Sequence, residues 1–188
     1  MNFAPKFSTR AFLRSTAVLA TTVLTSLSPF TPASAGNFDH QEVNQKKFIA
    51  VASPYGINRY QLFIYEQISP KRACWSETGT NPIAIDLQLR KFDFTGICGR
   101  SSDSNGYSIR QAGQDLGWRY DLDIVKRDQE LVLVGRNTTN RSLPPIEIGR
   151  TSGITNGFLK IKLDPGWRFT KRTYKGKVLG HVYLTSER

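Results

Sequence analysis

The chain has 188 residues, 39% hydrophobic and 11% aromatic, with 26 basic against 15 acidic side chains and a formal net charge of +11. That composition can bury a core, which excludes an intrinsically disordered chain, and the length suits one domain behind a short leader. Two cysteines and two histidines without close spacing make a poor zinc site, and no phosphate-binding loop, dinucleotide fingerprint or Gly-x-Ser-x-Gly elbow is present.

Residues 1–35 have the layout of a secretory signal peptide. Lys6, Arg10 and Arg14 form a basic start without acids, and Ala17 to Leu27 is an apolar run diluted by Thr and Ser. Ala33-Ser34-Ala35 is a small-x-small cleavage site before Gly36. The run falls short of the roughly 20 residues a spanning helix needs. With the leader's 3 basic residues gone, 23 basic against 15 acidic side chains leave 36–188 at +8. The expected location is secreted, periplasmic or cell-surface, with no membrane span in the mature protein. Both cysteines lie in the exported part, where an oxidising compartment favours a Cys74–Cys98 disulfide. The rival is a nucleophilic Cys98, for which only His40 and His181 are on hand as bases.

After the leader, Lys47 to Ala52 reads as a short buried strand stopped by Ser53-Pro54-Tyr55-Gly56. Tyr60 to Ile68, rich in β-branched and aromatic residues, is a second strand, and Lys71 to Thr80 is mostly loop. Over 82–91 two signals disagree. Asn81-Pro82 looks like a helix cap, whereas Ile83, Ile85, Leu87 and Leu89 alternate as in a strand; helix and strand both stay open, with a lean to a short helix. From Phe92 onward the pattern is β. Trp118, Tyr120, Leu122 and Ile124 are expected on one strand face, with Arg119, Asp121 and Asp123 on the other. Lys126–Gln129 is a turn into Glu130–Gly135, and Asn137 to Pro145 is a polar connector carrying two N-glycosylation patterns. Ile146–Ile148 follows, then Leu159, Ile161 and Leu163 alternating with Lys160 and Lys162. Asp164-Pro165-Gly166 turns into a hairpin of Trp167–Tyr174 and Val178–Thr185 about Lys175-Gly176. About nine short strands predict an all-β, single barrel- or sandwich-like domain.

Two segments, 99–135 and 149–185, repeat one another in sequence. Gly99-Arg100, Asn105-Gly106-Tyr107 and Gly117-Trp118-Arg119-Tyr120 are answered by Gly149-Arg150, Asn156-Gly157-Phe158 and Gly166-Trp167-Arg168-Phe169. This reads as an internal duplication, so Trp118 and Trp167 should be equivalent, as should Arg100 and Arg150. Asn105-Gly106 and Asn156-Gly157 are expected to be tight turns. Both tryptophans are expected in the core, with an exposed platform for sugar rings as the alternative. Asp103 is alone among the serines around it, which argues against a calcium loop, and no metal or cofactor is expected. Asp121 and Asp123 read as a solvated strand face.

The stretches Asp93–Arg100, Asp103–Arg110 and Gly180–Thr185 resemble an exported domain-of-unknown-function family from cyanobacteria, over about Phe48 to Thr185. The resemblance implies secretion and a cyanobacterial source, and carries no established activity or catalytic residues. The expected function is a non-enzymatic module that binds an acidic polysaccharide or another envelope component, with nucleic acid an unlikely partner in vivo. Its candidate residues are Lys160, Lys162, Arg168, Lys171, Arg172, Lys175 and Lys177, set against the single acid Asp164. Strand alternation splits Lys171 from Arg168 and Arg172, so these cations cannot share one flat patch. The alternatives are an extracytoplasmic hydrolase using His181 with an Asp, and a structural or protein-interaction module.

Overall fold

The computed structural model describes Met1 and residues 38–188; the expected cleavage site at Ala33, Ala35 and Gly36, and all of the expected leader but Met1, lie outside the described residues. Two sheets face each other. The first is built on β6 (Cys98–Ser101), β3 (Arg59–Gln67), β2 (Phe48–Tyr55), β12 (Phe158–Leu163), β11 (Ile146–Arg150), β10 (Glu130–Asn137) and β9 (Tyr120–Arg127), in that order. Short β4 (Ser76–Thr78) and β5 (Ala84–Asp86) attach to it through β12. The second sheet runs β1 (Asp39–Glu42), β13 (Trp167–Tyr174), β14 (Lys177–Ser186), β7 (Tyr107–Gln111), β8 (Gln114–Asp115). All neighbours are antiparallel except β14 and β7. The protein is all-β with a sandwich-like core, and among the described residues no helix is long and apolar enough to cross a membrane.

The continuous apolar run Phe48-Ile-Ala-Val-Ala52 makes sense because β2 is buried on both faces. Phe48, Ala50 and Ala52 point into the sandwich with Leu62, Ile64, Phe169, Val182 and Leu184. Ile49 and Val51 point the other way, into a second core with Tyr65, Ile85, Leu87 and Leu89. Segment 68–98 forms the lid of this second core and is pinned by the Cys74–Cys98 disulfide, whose sulfurs are both buried. Closing that loop contributes about 3 kcal/mol. A nucleophilic Cys98 is thereby ruled out, since no free cysteine remains.

Several expectations are corrected. Among the described residues fourteen strands replace about nine, because β1, β4, β5 and β8 are each two to four residues long and too short to leave a pattern. Over 82–91 the alternation wins for the first part: β5 pairs with β12, and Pro82 follows a cis bond rather than opening a helix. Only Gln88–Lys91 turns helically, as a single 3-10 turn. Pro54 does not stop β2, which runs on to Tyr55 paired with Arg59. Asn137 in the connector is buried, its side-chain oxygen accepting from the Thr139 and Asn140 amides.

The sequence repeat does not carry a common strand order. The hairpins β9–β10 and β13–β14 correspond, but they lie in different sheets. Strand β11 pairs with β12, whereas its counterpart β6 pairs with β3 and never with β7. Arg150 is held by Glu130, Glu147 and Asp164, while Arg100 is exposed. The shared residues mark similar turns and hairpins, and the two-fold equivalence is absent. Gly149 is a separate case: a Cβ there would come within 2.5 Å of the Lys162 carbonyl oxygen, so the β11–β12 crossing needs glycine.

Candidate functional site

The five-stranded sheet buries both of its faces, and the two differ in kind. Strand alternation sends Tyr107, Ile109, Phe169, Val182 and Leu184 into the sandwich. The residues between them, Ser108, Arg110, Thr170, His181, Tyr183 and Thr185, take the other face and are all buried too. Parallel pairing sets Tyr183 beside Ser108 and Thr185 beside Arg110, and β8 sets Asp115 beside Arg110. A buried polar face must be internally hydrogen-bonded or held for a ligand.

Most of it is bonded. Arg172 donates from Nη2 to Asp115 Oδ2 at 2.7 Å and to Ser108 Oγ at 3.2 Å, and from Nε to the Tyr183 hydroxyl at 2.6 Å. The Tyr183 hydroxyl in turn donates to Asp115 Oδ2 at 2.7 Å, and the Gly117 amide donates to Asp115 Oδ1 at 2.9 Å. Burial, with the Asp115 carboxylate beside it, raises the phenol pKa of Tyr183 above its ordinary value of 10.0.

His181 is fixed at both nitrogens. Nδ1 lies 2.9 Å from the Asn105 carbonyl and Nε2 lies 2.7 Å from Ser108 Oγ. A carbonyl can only accept, so Nδ1 carries the proton and Nε2 is left to accept the Ser108 hydroxyl proton. Burial holds the imidazole pKa below 6.5; the Asn105 carbonyl opposes this, the Arg172 cation reinforces it, and Asp115 and Lys171 act more weakly in opposite senses. The expected Asn105-Gly106 turn is what delivers that carbonyl. Gly106 has no room for a side chain, since a Cβ would meet Ser101 at 2.8 Å.

Above this face opens a cleft of about 1030 Å³, lined among others by Phe38, Ser108, Arg110, Asp115, Trp118 and Arg172. Trp118 stands at its rim with 68% of its surface exposed, which overturns the expected core position. Gly117, Trp118 and Arg119 form a turn before β9 rather than part of the strand, so Arg119 folds back and sits 4.6 Å from the indole ring centre. Trp167 is half-buried against the sandwich core, as expected. Deeper in, Arg110 donates to the Phe38 carbonyl and reaches Asp39 at 3.4 Å, but its buried Nε has no hydrogen-bond partner among the described residues.

The seven cations singled out in the sequence are dispersed. Lys160 pairs with Glu77 at 2.7 Å and Lys162 donates to Thr80 and Asn81, both on the outside of the nine-stranded sheet. Arg168 is clamped by Glu42 and Glu187, and Lys171 pairs with Glu66 at 2.6 Å. Arg172 belongs to the cleft floor. Lys175 and Lys177 sit at the exposed β13–β14 turn. Only Arg168 and Arg172 share the polar face. The residues that do converge, Ser108, Arg110, Asp115, His181 and Tyr183, left one trace in the sequence: Ser108 and Arg110 alternate with Tyr107 and Ile109, and His181 and Tyr183 with Val182 and Leu184.

No curated protein and no solved structure matches this chain. A family comparison matches residues 15–188, which take in the cleft and both sheets, to the family described as Protein of unknown function (DUF3747). The chain belongs to the DUF3747 family.

Proposed function

We propose that residues 36–188 are an exported module that binds an acidic polysaccharide in the cleft over the polar face of the five-stranded sheet. The observation that carries the reading is the rim: Trp118 is exposed beside Arg119, above a floor where the buried Arg110 Nε is unpartnered among the described residues. A flat indole suits the apolar face of a sugar ring, and an unsatisfied guanidinium nitrogen suits a carboxylate oxygen. The volume falls at the upper end of the range typical of ligand clefts. The net positive charge favours polyanions over neutral glycans. Export rests on the signal-peptide layout of residues 1–35.

The test is titration of the purified protein with polygalacturonate, with neutral dextran as control, at low and at physiological salt. Binding to the acidic polymer should weaken with salt, since exposed charges are screened within about 10 Å at 0.1 M. Trp118→Ala should weaken it about tenfold, the loss of one aromatic contact of about 1.4 kcal/mol. Absence of binding at low salt, or equal affinity in wild type and Trp118→Ala, rejects the reading.

A further inference from the structure

The binding reading uses the rim and Arg110; it leaves the Ser108–His181 pair without a task. We infer that this pair makes the cleft an acyl-ester hydrolase site, with Ser108 as nucleophile, His181 as general base and a small O-acyl ester as substrate. Three features of an activated nucleophile coincide here. The serine oxygen and the base nitrogen are 2.7 Å apart. The base is oriented by a third group, the Asn105 carbonyl at 2.9 Å, which dictates the tautomer whose Nε2 lone pair faces Ser108. And Ser108 is among the residues that line the open cleft.

Asp115 Oδ1 also lies 3.5 Å from Ser108 Oγ, but the hydroxyl has one proton and the 2.7 Å contact with the uncharged imidazole claims it. The Oγ lone pair receives Arg172 Nη2 at 3.2 Å. That cation stands beside the attacking oxygen and stabilises the alkoxide character it gains as its proton leaves. His181, kept as the free base at neutral pH by its burial, is in the protonation state a general base requires.

The chemistry balances without a co-reactant other than water. Ser108 Oγ bonds to the acyl carbon as its proton passes to His181 Nε2. The ester C–O bond then breaks, and the imidazolium returns that proton to the departing alkoxide, releasing an alcohol. Water adds to the acyl-serine, giving its proton to the same nitrogen, and collapse of the intermediate restores the serine and frees a carboxylic acid. Ser108 is 4% exposed at the bottom of the cleft, so the acyl group must be small, such as acetyl, while the alcohol lies in the wider space above.

The experiment needs no polymer: the full chain is treated with a fluorophosphonate probe and assayed with 4-nitrophenyl acetate. The adduct should map to Ser108. Ser108→Ala and His181→Gln should each lower kcat/KM about a hundredfold or more. In wild type, kcat/KM should rise with pH through a value below 6.5 and then level, following His181, which is faced by Arg172 and Lys171 from β13, Asp115 from β8 and Tyr183 on its own strand. The wild-type labelling needs no variant to fold. No adduct at Ser108, together with turnover equal to that of Ser108→Ala, overturns the inference. Polymer binding without labelling leaves the binding reading standing alone, and labelling without polymer binding does the reverse.

Discussion

Replacing Tyr183 by Phe removes one oxygen from the polar face and leaves the ring. That oxygen accepts from Arg172 Nε at 2.6 Å and donates to Asp115 Oδ2 at 2.7 Å. Hydrogen bonds to charged groups contribute about 1.5–3 kcal/mol each. The two losses do not simply add, because Arg172 and Asp115 keep their direct contact at 2.7 Å and Asp115 keeps the Gly117 amide. What remains is an orphaned Arg172 Nε at a site where the arginine side chain is 17% exposed, enough for partial rescue by water. The expected cost is therefore about 2–3 kcal/mol, one charged bond rather than two. For a domain of this size that is a fall of about 4–12 °C in Tm. Urea denaturation of wild type, Tyr183→Phe, Asp115→Asn and the double variant would show a coupling of about 1 kcal/mol or more. A loss under about 0.5 kcal/mol, with additive single variants, would refute the claim that the face is a connected network.

Replacing Cys74 and Cys98 together by serine should destabilise the fold by about 3 kcal/mol and abolish the mobility difference between reduced and unreduced protein on a gel; an unchanged denaturation midpoint would contradict it. Gly149→Ala should cost about 1–3 kcal/mol or more in urea denaturation, because the clash is with the backbone oxygen of Lys162. Lys175→Glu with Lys177→Glu should move the midpoint by less than about 0.5 kcal/mol, both residues being exposed. Acidification supplies the last test. His181 has a folded pKa below 6.5, so between the two values the unfolded state binds more protons and stability falls as pH drops. The slope cannot exceed about 1.4 kcal/mol per pH unit for one proton, and it should flatten in His181→Gln.

Local pattern carried much of the fold. The hairpin turn at Lys175-Gly176 was legible because both residues take positive φ, 48° and 75°, as a tight two-residue turn demands. The apolar run at 48–52 announced a buried strand, and the even count of two cysteines announced their bond. The site was not legible for a topological reason. Ser108 and His181 are 73 residues apart, and they meet through a parallel pairing of β7 with β14 that no turn or periodicity encodes. Trp118 was misread because strand alternation was extended two residues too early, across the Gly117–Arg119 turn. The cations were counted correctly, but Lys160, Arg168 and Lys171 meet Glu77, Glu42 with Glu187, and Glu66, so part of the basic segment became neutralised pairs.

The placement of β14 has a consequence for how the protein comes into being. It lies between β13 and β7, so the five-stranded sheet has no middle until residues 177–186 are in place. A chain cut short at Gly180 would lose Val182 and Leu184 from the sandwich, and His181 and Tyr183 from the cleft, in one stroke. Contacts this distant in sequence are slow to form, and until they do β7 and β13 present unsatisfied edges to any passing strand. Incomplete copies are therefore aggregation-prone and without the polar face together, which makes solubility itself a readout of whether the cleft has been assembled.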